Sequence, residues 1–294
     1  MTITTSNTVS TATKTAAQSS HALTGHQTQR FNRFKHFNDQ AWLHASQALI
    51  IPLLFIGLWG LASAQLWLDP KLIPSPWAVV TQALDSVVKI EFWQGFFASL
   101  SRNFVGYVAG ASLGIAFGVL LGTSRFAQWF LAPGFHVLRQ VSLFAWLPLI
   151  STFLGYGNGA KILFITLSVF YPVALHSLEG VSSISSKYSE VARVYQFPKL
   201  YTYRKLILPA ASPQIFVGLQ LGLIFAWLAT VGSEFLLANY GVGLGNLVIK
   251  GRQQFNVPLI LLGMLSIGIV GVILNRVIVS IERRVLVWQK GAAK

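Results

Sequence analysis

"SEVARVYQFPKLYTYRKLILPA", residues 189–210, puts Glu190, Arg193, Lys199, Arg204 and Lys205 between two long apolar stretches of a chain that is 53% hydrophobic and only 10% charged. If those stretches cross a membrane, this segment must lie outside the lipid. The mean hydropathy of +0.59 is that of a polytopic membrane protein. Six windows contain no Asp, Glu, Lys or Arg: 48–68, 103–124, 140–160, 162–178, 206–233 and 253–275. Each is long enough, or nearly so, for a helix of about 20 residues to cross a bilayer core. None carries the polar face that a soluble helix shows at a period of 3.6. The expected fold is an all-α integral membrane protein of about six transmembrane helices.

Lys and Arg collect on the cytoplasmic side of such proteins. With six spans and both termini on one side, sixteen of the 22 basic residues share that side, including those of the 189–210 segment, and six (Lys71, Lys89, Arg102, Lys161, Lys250, Arg252) fall opposite. The expected orientation has both termini and the segment in the cytoplasm. The net charge of +14 is spread over separate loops, so it reads as a topology signal and an attraction to anionic membrane lipid, with no nucleic-acid partner.

Three parts are expected. Residues 1–42, rich in Ser, Thr, Gln and Asn, form a flexible basic cytoplasmic tail and no secretory signal. Residues 43–281 form the transmembrane domain, with a cytoplasmic loop at about 180–210, and 282–294 form a C-terminal cytoplasmic tail. "DPKLIPSPWAVV" (69–80) ends any helix at the outer face. The aromatic "EFWQGFFASLSR" (91–102) suits the headgroup level.

Gly106, Gly110, Gly114, Gly118 and Gly122 recur every fourth residue, and Gly218 and Gly222 repeat the device. Such a groove lets helix backbones approach closely, within the chain or between subunits. There is no cysteine, and the six His form no metal-ligating motif, so no metal site is expected.

The segment from about 179 to 209 reads as two short helices. Ser185 or Ser186 caps the first, which runs to about Tyr195, and Pro198 suits the first turn of the second. The pattern resembles the cytoplasmic loop of permease subunits of binding-protein-dependent ABC importers: E-A-A, three residues, G, nine residues, I, one residue, L-P. Here Glu190, Val191 and Ala192 lead to Leu206, Leu208 and Pro209 at the same spacing. Val191 replaces the usual Ala, and Gln196 the usual Gly. Glycine there permits a left-handed turn, so this chain is expected to turn otherwise, through the restriction that Pro198 places on Phe197. "IPSP" (73–76), "SLSR" (99–102), "WLPLISTFLGYGNGAKI" (146–162) and "GSEFLLANYGVGLGNLVIKGRQQF" (232–255) extend the resemblance over about residues 45–290. They are similar to the nitrate, sulfonate, taurine and bicarbonate group, aliphatic sulfonate permeases most of all.

The resemblance implies a type I ABC importer permease fold in the bacterial inner membrane, working as a homodimer. It implies a cytoplasmic ABC ATPase dimer that binds ATP and Mg, since this chain has no phosphate loop and no cofactor of its own. A periplasmic or lipid-anchored binding protein would deliver a small solute. The loop would be a coupling helix, in which Glu190 pairs with a basic residue of the ATPase and Ala192, Tyr195 and Leu200 supply the contact surface. Trp146, Asn158, Tyr171, His176, Gln214 and Gln220 are candidates to line the path between two copies.

Arg102 and Arg139 border spans, either to attract an anion or to snorkel to headgroups. Glu234 could serve an outer gate, meet the binding protein or lie exposed at the interface. The rival reading is an ion-coupled secondary transporter, which places carboxylates at the membrane midplane; no Asp or Glu falls inside the six windows. No cluster of catalytic residues supports an enzyme.

Overall fold

A computed structural model describes residues 50–51, 53–65, 73–185, 190, 192, 194–237 and 241–286. The chain divides into two compact units, Met1–Leu68 and Asp69–Lys294. In the first, the described element is the apolar helix α1 (Leu53–Ala64); the whole of the expected tail 1–42 and the ends of the first span lie outside the described residues. The second unit holds α2 (Pro76–Val87), α3 (Ile90–Thr123), α4 (Arg125–Leu138), α5 (Trp146–Leu154), α6 (Asn158–Ser182), α7 (Lys199–Thr202), α8 (Leu208–Leu236), α9 (Leu244–Gln253) and α10 (Val257–Val285). Among the described residues there is no strand.

Among the described residues four helices, α3, α6, α8 with the turns before it, and α10, are long and apolar enough to cross a membrane, and the bent pair around α4 and α5 makes a fifth. All four run past the windows that sequence alone set. The aromatic stretch 91–102 is the first three turns of α3, and α10 continues through Arg276 and Glu282 to Val285.

The five glycines of the four-residue row in α3, Gly106 to Gly122, face α6. A Cβ on any of them would stand 2.9 Å or less from an α6 atom, with Ile165, Val169, Val173, Ser177 and Val181 set against the successive glycines. The row on α6 also repeats every fourth residue, so a ridge of side chains fills a groove that has none, and the two backbones come close. Since both rows climb together, α3 and α6 run parallel.

A parallel pair requires the chain to cross back between them. The expected single helix over 140–160 does not form. Instead α4 and the segment Leu143–Leu154 make a pair bent by 87°. Pro148 explains the break: lacking an N–H, it is tolerated within the first turn of a helix but not in a continuous one, and α5 begins two residues before it. Gly155, at φ 70°, then turns the chain into α6.

On its other face α6 meets α8 in the antiparallel sense. Gly218 lies against His176, and Gly222 against Val173. Further out, the Trp227 Nε1–H of α8 donates to the Ile267 carbonyl of α10 at 3.1 Å, and Gln220 donates to Glu282. The core shared by these helices holds Phe164, Ile165, Val169, Val173 and Ala226, all fully buried.

Candidate functional site

The 190–209 segment leaves the bundle between α6 and α8. Glu190 is helical and exposed, while Val191, Arg193 and residues 186–189, where a Ser186 cap would sit, lie outside the described residues. Tyr195 and Leu200 are each 69% exposed, but Ala192 is only 7% exposed. Glu190, Val194, Tyr195 and Leu200 are therefore on the outward surface of the segment. Ala192 turns inward to a cavity of about 770 Å³ that Gly122, Ser124, Val181, Phe197 and Ile207 also line.

The turn corrects the expectation set by Phe197. Gln196 itself takes the left-handed conformation, at φ 50°, and the Phe197 N–H donates to the Ala192 carbonyl at 3.0 Å. A left-handed residue followed by this six-to-one hydrogen bond is the Schellman arrangement that ends a helix. Gln196 thus fills the place of a glycine despite its Cβ. Phe197 then packs between Tyr195 and Tyr201, with ring centroids 5.8 and 5.1 Å away.

Pro198 precedes α7, its carbonyl accepting the Thr202 N–H at 3.0 Å. A π-helical turn over Tyr203–Ile207 carries the chain through Leu206 to Leu208, whose N–H bonds the Tyr203 carbonyl. Pro209 sits in the first turn of α8. Pro213 leaves the Pro209 carbonyl without its helical partner, and the Ser212 hydroxyl bonds that carbonyl instead, at 2.8 Å.

At the other end of the bundle lies a buried polar cluster that the sequence did not disclose. Arg102 and Glu234, expected at span borders, are 4% and 0% exposed. The Arg102 Nη2 donates to Glu234 Oε1 at 2.5 Å and to the Val242 carbonyl at 2.7 Å, and its Nη1 donates to Asn158 Oδ1 at 3.0 Å. The Ser99 hydroxyl donates to Glu234 Oε1 at 2.7 Å, and the Gly245 N–H to Oε2 at 2.7 Å. Beside them Asn103 donates to the buried Thr230 hydroxyl at 3.0 Å, and Lys161 is fully buried. A buried charge is tolerable only when paired and hydrogen-bonded, and these donors meet that condition for Glu234.

The glycines of "GVGLG" follow from the carboxylate. A Cβ on Gly243 or Gly245 would collide with Glu234, so the backbone can wrap it only where side chains are missing. Snorkelling is thereby excluded for Arg102, and interfacial exposure for Glu234. The sequence signals were "SLSR" and the acid set beside a Gly-rich run, but nothing in either links residues so far apart.

The six path candidates do not gather within one chain. Trp146 packs on the core at the start of α5, and Asn158 serves Arg102. Tyr171 faces Phe135 of α4, with centroids 6.0 Å apart. His176 Nδ1 lies 3.2 Å from Glu179, Gln214 stands beside Gly180, and Gln220 is tied to Glu282. The cavity behind the 190–209 segment has none of them in its wall.

Residues 110–287 match the family described as binding-protein-dependent transport system inner membrane component. The chain is 30% identical over 243 residues to SsuC of Bacillus subtilis (strain 168), a permease named for aliphatic sulfonates transport, covering 83% of this chain and 87% of that one. It is 33% identical over 223 residues to the nitrate import permease NrtB of a Synechocystis sp. strain, covering 73% and 80%. With the bicarbonate transport system permease CmpB of Synechococcus elongatus it shares 34% identity over 195 residues, covering 66% and 69%. The relatives are named as permease proteins and the family as an inner membrane component, and the apolar helices of this chain agree with a multi-pass placement in that membrane. The chain belongs to the inner-membrane components of binding-protein-dependent transport systems, and within them to the nitrate, sulfonate and bicarbonate group of ABC importer permeases.

Proposed function

We propose that this permease passes a small anion, an aliphatic sulfonate before others, from an external binding protein to the cytoplasm, and that a separate ATPase dimer drives it. The observation that carries the coupling is the 190–209 segment, where an exposed acid at Glu190 leads a helix, turn and second helix that project between two spans. The ATPase would bind ATP and Mg and dock on Glu190, Tyr195 and Leu200; Ala192 and Gln196 would set the turn behind them. A second copy of the chain would complete the path. Both termini would face the cytoplasm, and the burial of Arg102 and Lys161 supports this, because neither then counts as a loop charge on the opposite side.

The sulfonate reading draws on a relative that matches 83% of the chain. Nitrate or bicarbonate is the second reading, favoured by higher identities of 33% and 34% over shorter stretches. A secondary transporter would need a carboxylate free to take an ion. Glu234 is the buried acid at hand, and both its oxygens are already engaged.

The test is uptake in cells carrying the permease with its ATPase and binding protein. Labelled alkanesulfonate should accumulate, and excess unlabelled sulfonate should compete where nitrate and bicarbonate do not. Competition by nitrate or bicarbonate alone would replace the sulfonate assignment and leave the importer reading standing.

A further inference from the structure

The helix α2 has an apolar face that no described residue of the second unit covers. Trp77, Val80, Leu84, Val87 and Val88 are 70, 45, 63, 43 and 86% exposed, and they recur three, four, three and one residues apart, which places them on one stripe. The opposite face is occupied, with Val79 buried on it. Ser86 is buried, Asn256 of α10 donates to Gln82 Oε1 at 3.3 Å, and Asp85 borders a polar cavity of about 740 Å³ with Lys89, Glu91 and Lys250.

At about 1.5 Å per residue α2 is only ~18 Å long, too short to cross a hydrocarbon core of about 30 Å. It is also fixed at both ends. Pro74 and Pro76 break the chain before it, Ser75 caps it, and the Trp93 indole of α3 donates to its Val87 carbonyl at 2.9 Å.

The level of α2 follows from α3. An exposed row, Ile90, Phe97 and Phe104 at 65, 61 and 68%, runs along that membrane-crossing helix, which begins just after α2. At the far end, exposed Phe126 and Trp129 of α4 stand near Leu121, where Ala127 packs. From Phe97 to Leu121 is ~36 Å along the helix, a spacing that matches the two headgroup layers of a bilayer, where aromatic belts sit.

We propose that α2 lies along the membrane surface at the end opposite the 190–209 segment, with Trp77, Leu84 and Val88 in the lipid at the headgroup boundary and Gln82 and Asp85 in water. Lipid is favoured over a second copy as the occupant because α2 joins α3 at Ile90, the end of that membrane-crossing helix where the exposed Phe97 lies, and because its stripe carries Trp77, a residue type that sits at the headgroup layer. The inference rests on α3 crossing the membrane and not on the coupling or substrate readings.

The chain has no cysteine, so single spin labels can be placed without background. Trp77→Cys, Val80→Cys, Leu84→Cys and Val88→Cys report the stripe, and Gln82→Cys and Asp85→Cys the other face. The labelled full-length chain is reconstituted in vesicles of phosphatidylethanolamine and phosphatidylglycerol, and collision with oxygen is compared with collision with a water-soluble nickel chelate. The ratio of oxygen to nickel accessibility should oscillate with the helical period and be several-fold higher at 77, 84 and 88 than at 82 and 85. Nickel reaching 77 and 84 as readily as 85 would put the face in water and overturn the proposal. Exclusion of both reagents from the stripe would mean that protein covers it, a second copy above all, and would overturn it equally.

Discussion

Arg102 of α3 and Glu234 of α8 meet at 2.5 Å with side chains 5% and 0% exposed. The pair joins two helices that both pack on α6, and it fixes the 241–245 backbone through the Val242 carbonyl and the Gly245 N–H.

Breaking such a pair leaves a buried charge uncompensated, at a cost of about 3–5 kcal/mol. Arg102→Met or Glu234→Leu should therefore lower the unfolding temperature in detergent sharply. The double variant should be more stable than the sum of the two losses predicts, which a thermal double-mutant cycle measures. Strict additivity would show that the two residues act independently.

The glycine groove makes a graded prediction. Gly118→Ala sets a Cβ against the Ala174 carbonyl and Ser177, whereas a Cβ at Gly268 of α10 meets nothing within 4 Å. The first should destabilise by about 1–3 kcal/mol through overpacking. The second should stabilise by up to about 1 kcal/mol through helix propensity. Thermal unfolding of the two variants side by side decides it, and equal effects would mean that α3 and α6 do not approach as described.

Gln196 sits at φ 50°, where a side chain costs about 1–2 kcal/mol and glycine nothing. Gln196→Gly should slow amide exchange in the 190–202 segment with transport retained, and Gln196→Val should speed exchange. Faster exchange in the glycine variant would argue against a left-handed turn.

Glu190 is exposed, so Glu190→Lys should leave membrane insertion and thermal stability unchanged. Uptake should be abolished, because charge reversal at a docking surface repels the basic partner group. Normal uptake by this variant would remove Glu190 from the coupling role.

Much of this architecture is legible in the sequence because lipid imposes simple rules. A window without charge must be buried in lipid or protein, so the middles of α3, α6, α8 and α10 could be located from hydropathy. The four-residue glycine period marks a groove, since only one geometry makes it useful. The ends could not be read in the same way. Hydropathy takes every charge as a boundary, yet Arg102 and Lys161 lie inside helices and Glu234 near the end of one, with Arg102 and Glu234 made tolerable by each other across the chain. The break between α4 and α5 was equally hidden, because 140–160 carries no charge and only Pro148 hints at it. At Gln196 the rule that glycine makes left-handed turns pointed away from the correct backbone, since the surrounding helix end imposes the conformation on glutamine.

The central claim is that this permease is moved by an ATPase that docks on the 190–209 segment. The most direct measurement is the composition of the complex that comes with the tagged chain from its native membrane in mild detergent. The account predicts an ABC ATPase subunit at near-equal stoichiometry, lost from the Glu190→Lys chain. A chain that purifies alone and still moves solute without ATP would contradict it.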